Sequence, residues 1–165
     1  MILRPAEPAD APAVAEIWHA GWRDAHLGNV PDELVRIRTP ESFVERAAQH
    51  VQDTVVAVVA DEVAGFVMVA GDEVEQVYVD ERHRGSDVAR SLLKEAERLV
   101  ADGGHPIAWL AVVEGNSRAR RFYEREGWTD EGPIDHLAPG EADPVVVPAL
   151  RFTKWVLPRS SHRPD

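Results

Sequence analysis

The sequence contains no cysteine, which excludes disulfides, thiolate-bound metals and a cysteine nucleophile together. No apolar run approaches the roughly 20 residues that a bilayer-spanning helix needs. Met1-Ile2-Leu3-Arg4-Pro5-Ala6-Glu7 lacks a basic stretch leading into an apolar one, so no signal peptide is read and a cytoplasmic protein is expected. His19, His26 and His136 form no His-Glu-x-x-His pattern, and no metal is expected. Gly-x-Gly-x-x-Gly, the mark of a dinucleotide fold, is missing. Internal repeats and low-complexity tracts are missing too. Basic residues are scarce: 18 Lys and Arg against 29 Asp and Glu give a net charge of −11, which disfavours nucleic acid as a partner because phosphate binding needs a basic face. The acidity keeps the protein soluble, and it would also draw in a cationic substrate.

What is present is ordinary for a folded chain. With 165 residues, 44% hydrophobic and 28% charged, the sequence fits one domain with a sizeable core rather than a disordered segment. Ile2-Leu3-Arg4 reads as a first strand. Asp10 is placed to cap a helix carrying Val14, Ile17 and Trp18 at spacings of three and four. Gly21 is expected to interrupt that helix, leaving Trp22 to Leu27 as a second piece before the Gly28-Asn29-Val30-Pro31 turn. Thr39-Pro40-Glu41 opens a further helix, with proline at its first position.

The period then changes. Thr54 to Ala60, Val63 to Ala70 and Glu73 to Val79 are strand-like runs joined by two tight turns, an antiparallel meander. Val88, Leu92, Leu93, Ala96, Leu99 and Val100 share one helical face, and Gly103-Gly104 ends it. Ile107 to Val113 reads as a buried strand, Asn116-Ser117 starts a helix that ends at Gly127, and Trp128 to Ile134 and Val145 to Leu157 close the sheet. The order predicts an α/β (α+β) domain over residues 1–157, a mixed sheet flanked by helices, followed by a polar, mobile tail over 158–165.

The chemistry concentrates in Val77-Tyr78-Val79-Asp80-Glu81-Arg82-His83-Arg84-Gly85-Ser86-Asp87-Val88-Ala89-Arg90-Ser91-Leu92-Leu93. A strand ends, a polar loop follows, and a helix starts with free amides that suit a pyrophosphate. Arg84 and Arg90 add cationic donors at its edge. Taken alone, a glycine-bearing turn before a helix is a common surface feature.

Here the sequence resembles the GNAT superfamily of acyl-CoA N-acyltransferases. The family's loop is Arg/Gln-x-x-Gly-x-Gly/Ala, and Arg84-Gly85-Ser86-Asp87-Val88-Ala89 matches it at Arg84 and Ala89 but carries Asp87 for the central glycine. Downstream, Asn116 through Trp128 fits Asn-x-x-Ala-x-x-Phe-Tyr-x-x-x-Gly-Trp/Phe at every named position, through Asn116, Ala119, Phe122, Tyr123, Gly127 and Trp128. Two linked motifs in register are far more specific than one. An aspartate at position 87 tolerates unusual dihedrals better than most residues. Its charge would repel a phosphate unless it points outward or caps the helix.

The resemblance implies a single GNAT-like domain with a mostly antiparallel sheet of about seven strands, acetyl-CoA as acyl-donor cosubstrate, and an amine acceptor. It implies that Val77 and Val79 bind the pantetheine through main-chain groups. Arg84, Gly85, Ser86, Asp87, Val88, Ala89 and Arg90 would form the phosphate loop. Asn116 would contact the pantetheine, Arg120 is a candidate for the phosphate end, and Tyr123 would protonate the departing sulfur. Glu73 holds the position of a frequent catalytic glutamate. Glu75, two residues on and hence on the same strand face, is the alternative base. The acceptor site is read only as candidates on the first helices and the loop before the last strand: Trp18, Trp22, Arg23, His26 and the Asp135-His136 pair. The acceptor would be a small-molecule or peptide amine, and relatives that dimerise through the final strands make a homodimer compatible with the reading. The competing reading is a degenerate domain that binds acyl-CoA, or a protein partner, without turnover.

Overall fold

The β-branched run Thr54–Val59 pairs on both sides in the computed structural model, with Ile2–Pro5 on one edge and Glu62–Ala70 on the other. The structure describes residues 1–158. The expected mobile tail lies, Pro158 apart, outside them. Strands β1 (Ile2–Pro5), β2 (Thr54–Val59), β3 (Glu62–Ala70), β4 (Glu73–Val79), β5 (Ile107–Val112), β6 (Thr129–Ala138) and β7 (Val145–Trp155) form one sheet in the order β1-β2-β3-β4-β5-β7-β6. Only β4 and β5 run parallel; every other neighbouring pair is antiparallel. The expected mixed, mostly antiparallel seven-stranded sheet is what forms.

Helices cover both faces. Helices α1 (Ala11–His26), α2 (Asp32–Ile37) and α3 (Pro40–Gln49) bury Trp18, Leu34 and Phe43 against Val56, Phe66 and Met68. On the other face α4 (Val88–Asp102) and α5 (Ser117–Arg125) bury Leu92, Leu93, Val100 and Tyr123 against Val67, Leu110 and Phe152. α3 begins as its sequence implies, with Pro40 in its first turn and Thr39 Oγ1 accepting from the Ser42 amide at 3.2 Å. No helix among the described residues is long and apolar enough to cross a membrane.

Three local expectations are corrected. Asp10 occupies the cap position of α1 without capping it: its dihedrals are helical, and its carboxylate turns back to accept from Arg4 at 2.7 and 3.0 Å and from the Glu7 amide at 2.7 Å. The short helix α2 follows the Gly28–Pro31 turn, where the sequence reading placed nothing. α1 is also continuous through Gly21. A mid-helix glycine costs only about 0.5–1 kcal/mol relative to alanine, less than the burial of Val14, Ile17, Trp18 and Trp22 returns.

Gly21 is there for space. A Cβ on it would sit 2.3 Å from Tyr78 Cδ1 and 2.9 Å from Cε1, so the Tyr78 ring rests directly on the helix backbone. Gly21→Ala is expected to destabilise, because overpacking of about 1–3 kcal/mol outweighs the helix-propensity gain. Calorimetry should show a Tm lowered by a few degrees, at about 2–4 °C per kcal/mol for this size. A raised Tm would mean that the ring moves aside freely.

β4 holds the feature that shapes the site. Its register with β3 runs Met68↔Gln76 and then Val69↔Val74, so Glu75 is the extra residue of a β-bulge. Glu73 and Glu75 are therefore not related by simple strand alternation, as the sequence reading had them. The bulge bends β4, and its parallel pairing with β5 consists of Glu73↔Trp109 alone. Beyond that pair the two strands diverge, and the β4 edge toward Val79 has no ladder partner on that side.

Candidate functional site

The divergence of β4 and β5 opens a cleft through the sheet. On the α4/α5 side it widens into a groove of about 710 Å³, and on the α1/α3 side into a cavity of about 160 Å³. The two share a wall made by Ala25, Val77, Tyr78, Asn116, Ala119 and Tyr123. Chemistry that needs one large and one small reactant side by side has its meeting point at that wall.

The groove runs over the N-terminus of α4. Gly85 takes φ +78°, with nothing within 4 Å of a Cβ there, so its conformation rather than crowding calls for glycine. Asp87 takes φ −77°, ψ 5°, an ordinary backbone, and makes no side-chain cap. The central glycine of the motif is thus not needed here for its dihedrals. Ser86 Oγ donates to the His83 carbonyl, which tightens the turn. Arg84 is held by Asp24 of α1 at 2.8 Å and Arg90 by Glu126 at 3.4 Å, so both loop arginines are braced at the groove edge. Along α5, Arg118, Arg121 and Arg125 complete the wall, giving five arginines against Asp24, Asp87 and Glu126. The groove is locally cationic on a chain of net charge −11.

The cavity is bipolar. Glu73 and Glu75 line it from β4, and Arg38 and Arg46 line it from the α2–α3 side. Burial raises the Glu75 carboxyl above the usual carboxylate range, and the neighbouring Glu73 charge adds to the shift. Glu73 Oε1 lies 3.8 Å from His136 Nε2, longer than a hydrogen bond. His26 stacks on Trp22, ring centres 4.9 Å apart, and its Nδ1 meets the Trp22 carbonyl at 3.0 Å. Burial lowers its pKa despite that bond. Tyr123 is buried between Phe122, Trp128 and Phe152, and burial pushes its phenol pKa up, so it keeps its proton at neutral pH. Its hydroxyl has no bonding partner among the described residues, and it is not sealed off, since Trp18 Nε1 is the only sealed unpaired side-chain atom among them.

The family model described as the acetyltransferase (GNAT) family matches residues 13–128. The chain belongs to this GNAT family. Solved structures agree in fold. A GCN5-related N-acetyltransferase from Rhodopseudomonas palustris is 22% identical, with a TM-score of 0.72 over 93% of this chain and 94% of that one. The PaiA N-acetyltransferase from Thermoplasma acidophilum, in complex with coenzyme A, is 17% identical, with a TM-score of 0.69 over 93% and 98%. YncA from Salmonella typhimurium, with its cofactor acetyl-CoA, is 17% identical, with a TM-score of 0.68 over 100% and 98%.

On this GNAT frame most of the residues singled out from sequence come together. Arg84, Gly85, Ser86, Asp87, Ala89, Arg90 and Val79 line the groove, while Glu73, Glu75, Trp22, His26 and His136 line the cavity. Val77, Asn116 and Tyr123 stand between them, with Asn116 Oδ1 also capping α5 through the Ala119 amide at 3.2 Å. Six placements differ, among them Arg23 and Asp135, which are exposed and line neither the groove nor the cavity. Arg120 leaves the groove: it donates to the Glu114 carbonyl at 3.1 Å and lies 3.9 Å from Asp130. The Val88 side chain is core, so only its backbone belongs to the loop. Trp18 is core at 1% exposure, with Arg46 over its ring. His136 sits on β6, which extends to Ala138, rather than in a loop. The sequence reading missed Arg118, Arg121 and Arg125, although their spacing of three and four marks one helical face. It also missed Arg38 and Arg46, for which no local motif exists.

Proposed function

We propose that this GNAT protein transfers an acetyl group from acetyl-CoA to a primary amine, of a small molecule or a peptide amino terminus, by direct attack on the thioester. The observation that carries the reading is the shared wall at Tyr123, where a cationic groove meets a cavity lined by carboxylates. The residues fit the cosubstrate. Five arginines, the Gly85 turn and the α4 N-terminus suit its phosphates, and the unpaired β4 edge suits its chain of amides. Acetyl-CoA supplies the acetyl group as a thioester and leaves as the thiol.

Glu75 accepts the proton that the amine loses as its nitrogen bonds to the acyl carbon; its raised pKa places its basicity nearer neutral pH. Glu73 raises that pKa, and His136 lies beside it. Free main-chain N–H groups on the β4 edge donate to the carbonyl oxygen as charge develops there. Tyr123 gives its phenolic proton to sulfur as the carbon–sulfur bond breaks.

The test has two stages. Acetyl-CoA and coenzyme A at about 100 times their Kd should stabilise by about 2.7 kcal/mol, a Tm rise of about 5–10 °C, while NAD should not. Thiol release with a panel of amines then reads turnover. No stabilisation by either coenzyme A species would sink the proposal; stabilisation with no release from any amine would leave the binding-only domain in its place.

Asp87 gives a narrower prediction. Asp87→Asn removes a negative charge at the α4 N-terminus and keeps the side-chain shape. Coenzyme A should bind about two- to fivefold more tightly, the size of a charge effect at a helix end. Weaker binding by titration calorimetry would show that the carboxylate has a positive role there.

A further inference from the structure

We propose that Arg38 and Arg46 form a carboxylate subsite, so that the acceptor is a small amino acid whose amine faces Glu75 and whose carboxylate faces the two guanidinium groups. This rests on the transferase reading above and narrows its acceptor.

Both arginines are placed rather than solvated. Arg38 is only 8% exposed, and one nitrogen donates to the Pro139 carbonyl at 2.7 Å. A guanidinium has five N–H donors. Those left over on Arg38 have no partner among the described residues, none of its nitrogens is sealed off, and the residue lines the cavity. Arg46 lies over the Trp18 ring at 4.4 Å and the Phe43 ring at 5.8 Å, which fixes its head against the cavity wall. Burial, and then repulsion from Arg38, lower its pKa to about 10, which still leaves it charged at neutral pH.

Neither arginine forms a salt bridge among the described residues, and neither does Glu75. Arg46 and Glu75 feel each other's charge yet stay beyond ion-pair contact. The cavity therefore holds separated poles, carboxylates toward β4 and guanidiniums toward α2 and α3. Two like charges with donors unused in one small space are costly unless an anion joins them. A carboxylate matches the planar guanidinium fork. A zwitterion with its ammonium end toward β4 matches both poles. At about 160 Å³ the cavity is close to one that holds a benzene-sized molecule, so the ligand that fits is short.

The experiment compares L-amino acids with their primary amides, by thiol release and by isothermal titration of the N-acetylated products into protein saturated with coenzyme A. The acids should exceed the amides about 10- to 100-fold in kcat/KM, and their products should bind more tightly by a similar factor. In Arg46→Gln, and in Arg38→Lys if the first variant unfolds, that ratio should fall toward one while turnover of the amide persists. Equal handling of acid and amide by the wild type overturns the subsite, as does an arginine variant that weakens both alike. A preference for longer peptides over free amino acids also overturns it. Failure of coenzyme A to stabilise the wild type overturns the transferase reading, and the subsite with it. Coenzyme A binding with turnover indifferent to the carboxylate removes the subsite alone.

Discussion

Glu75→Gln is expected to lower kcat by about 10²- to 10⁴-fold, the usual contribution of a positioned proton acceptor, without lowering Tm. Glu75 is half-buried at the β4 bulge, and burial together with Glu73 raises its pKa. A carboxyl whose folded-state pKa lies above its unfolded value contributes stability at low pH and loses it as pH rises through the folded pKa. At neutral pH the charged form is thus held at a cost, and glutamine removes that cost. Lost activity with an unchanged or higher Tm would separate chemistry from unfolding. The same shift sets the pH profile: kcat/KM should rise with pH through the raised Glu75 pKa. Glu73→Gln removes the neighbouring charge, so its acid limb should move to lower pH with a smaller loss of rate. If Glu73→Gln instead causes the larger loss and Glu75→Gln is mild, the two carboxylates exchange roles.

The elements were legible where a periodic pattern was strong. The meander from Thr54 to Val79 and the face of α4 follow from period two and period 3.6, and both form with their expected turns. One wall of the groove was legible because it is made by contiguous residues, a strand end, a glycine turn and a helix N-terminus in one segment; the α5 wall with Arg118, Arg121 and Arg125 was not. The bulge at Glu75 was not read, although Val74, Val77 and Val79 signal it. Valines three and two residues apart cannot share one face of a regular strand, yet all three pack on the α4/α5 side. That odd spacing means an inserted residue, and the inserted residue carries the shifted carboxyl.

The acceptor side was illegible for a different reason. Arg38, Arg46, Glu75 and His136 are spread over nearly a hundred residues of sequence and meet only because α2, α3, β4 and β6 enclose one cavity. An arginine on a short helix reads as a solvated charge until its neighbours are known. Net charge gave no view of the cavity either. A chain at −11 is compatible with a cationic substrate, and the cavity sets two guanidiniums against two carboxylates. The summed charge acts on the approach of a ligand, while the groups lining the cavity decide what it holds.

Tyr123→Phe is expected to lower kcat about 100-fold, at the lower end of a proton-transfer contribution, with coenzyme A binding nearly unchanged. Phenylalanine keeps the ring between Trp128, 6.1 Å away, and Phe152, 6.0 Å away, so the packing that α5 depends on survives. The deleted hydroxyl has no bonding partner among the described residues, so its removal leaves no donor or acceptor stranded, and Tm should hold. Because burial raises the phenol pKa, Tyr123 stays protonated across about pH 6 to 9. The loss should therefore be uniform over that range, in contrast to the pH-dependent loss at Glu75. An acetyl donor whose thiol is more acidic needs less help in leaving, so the variant should be closer to wild type with such a donor. A Tyr123→Phe enzyme that retains full kcat would show that the phenol only walls the cleft, and that sulfur takes its proton from water. A rise in KM for acetyl-CoA at constant kcat would place the hydroxyl in binding rather than in proton transfer.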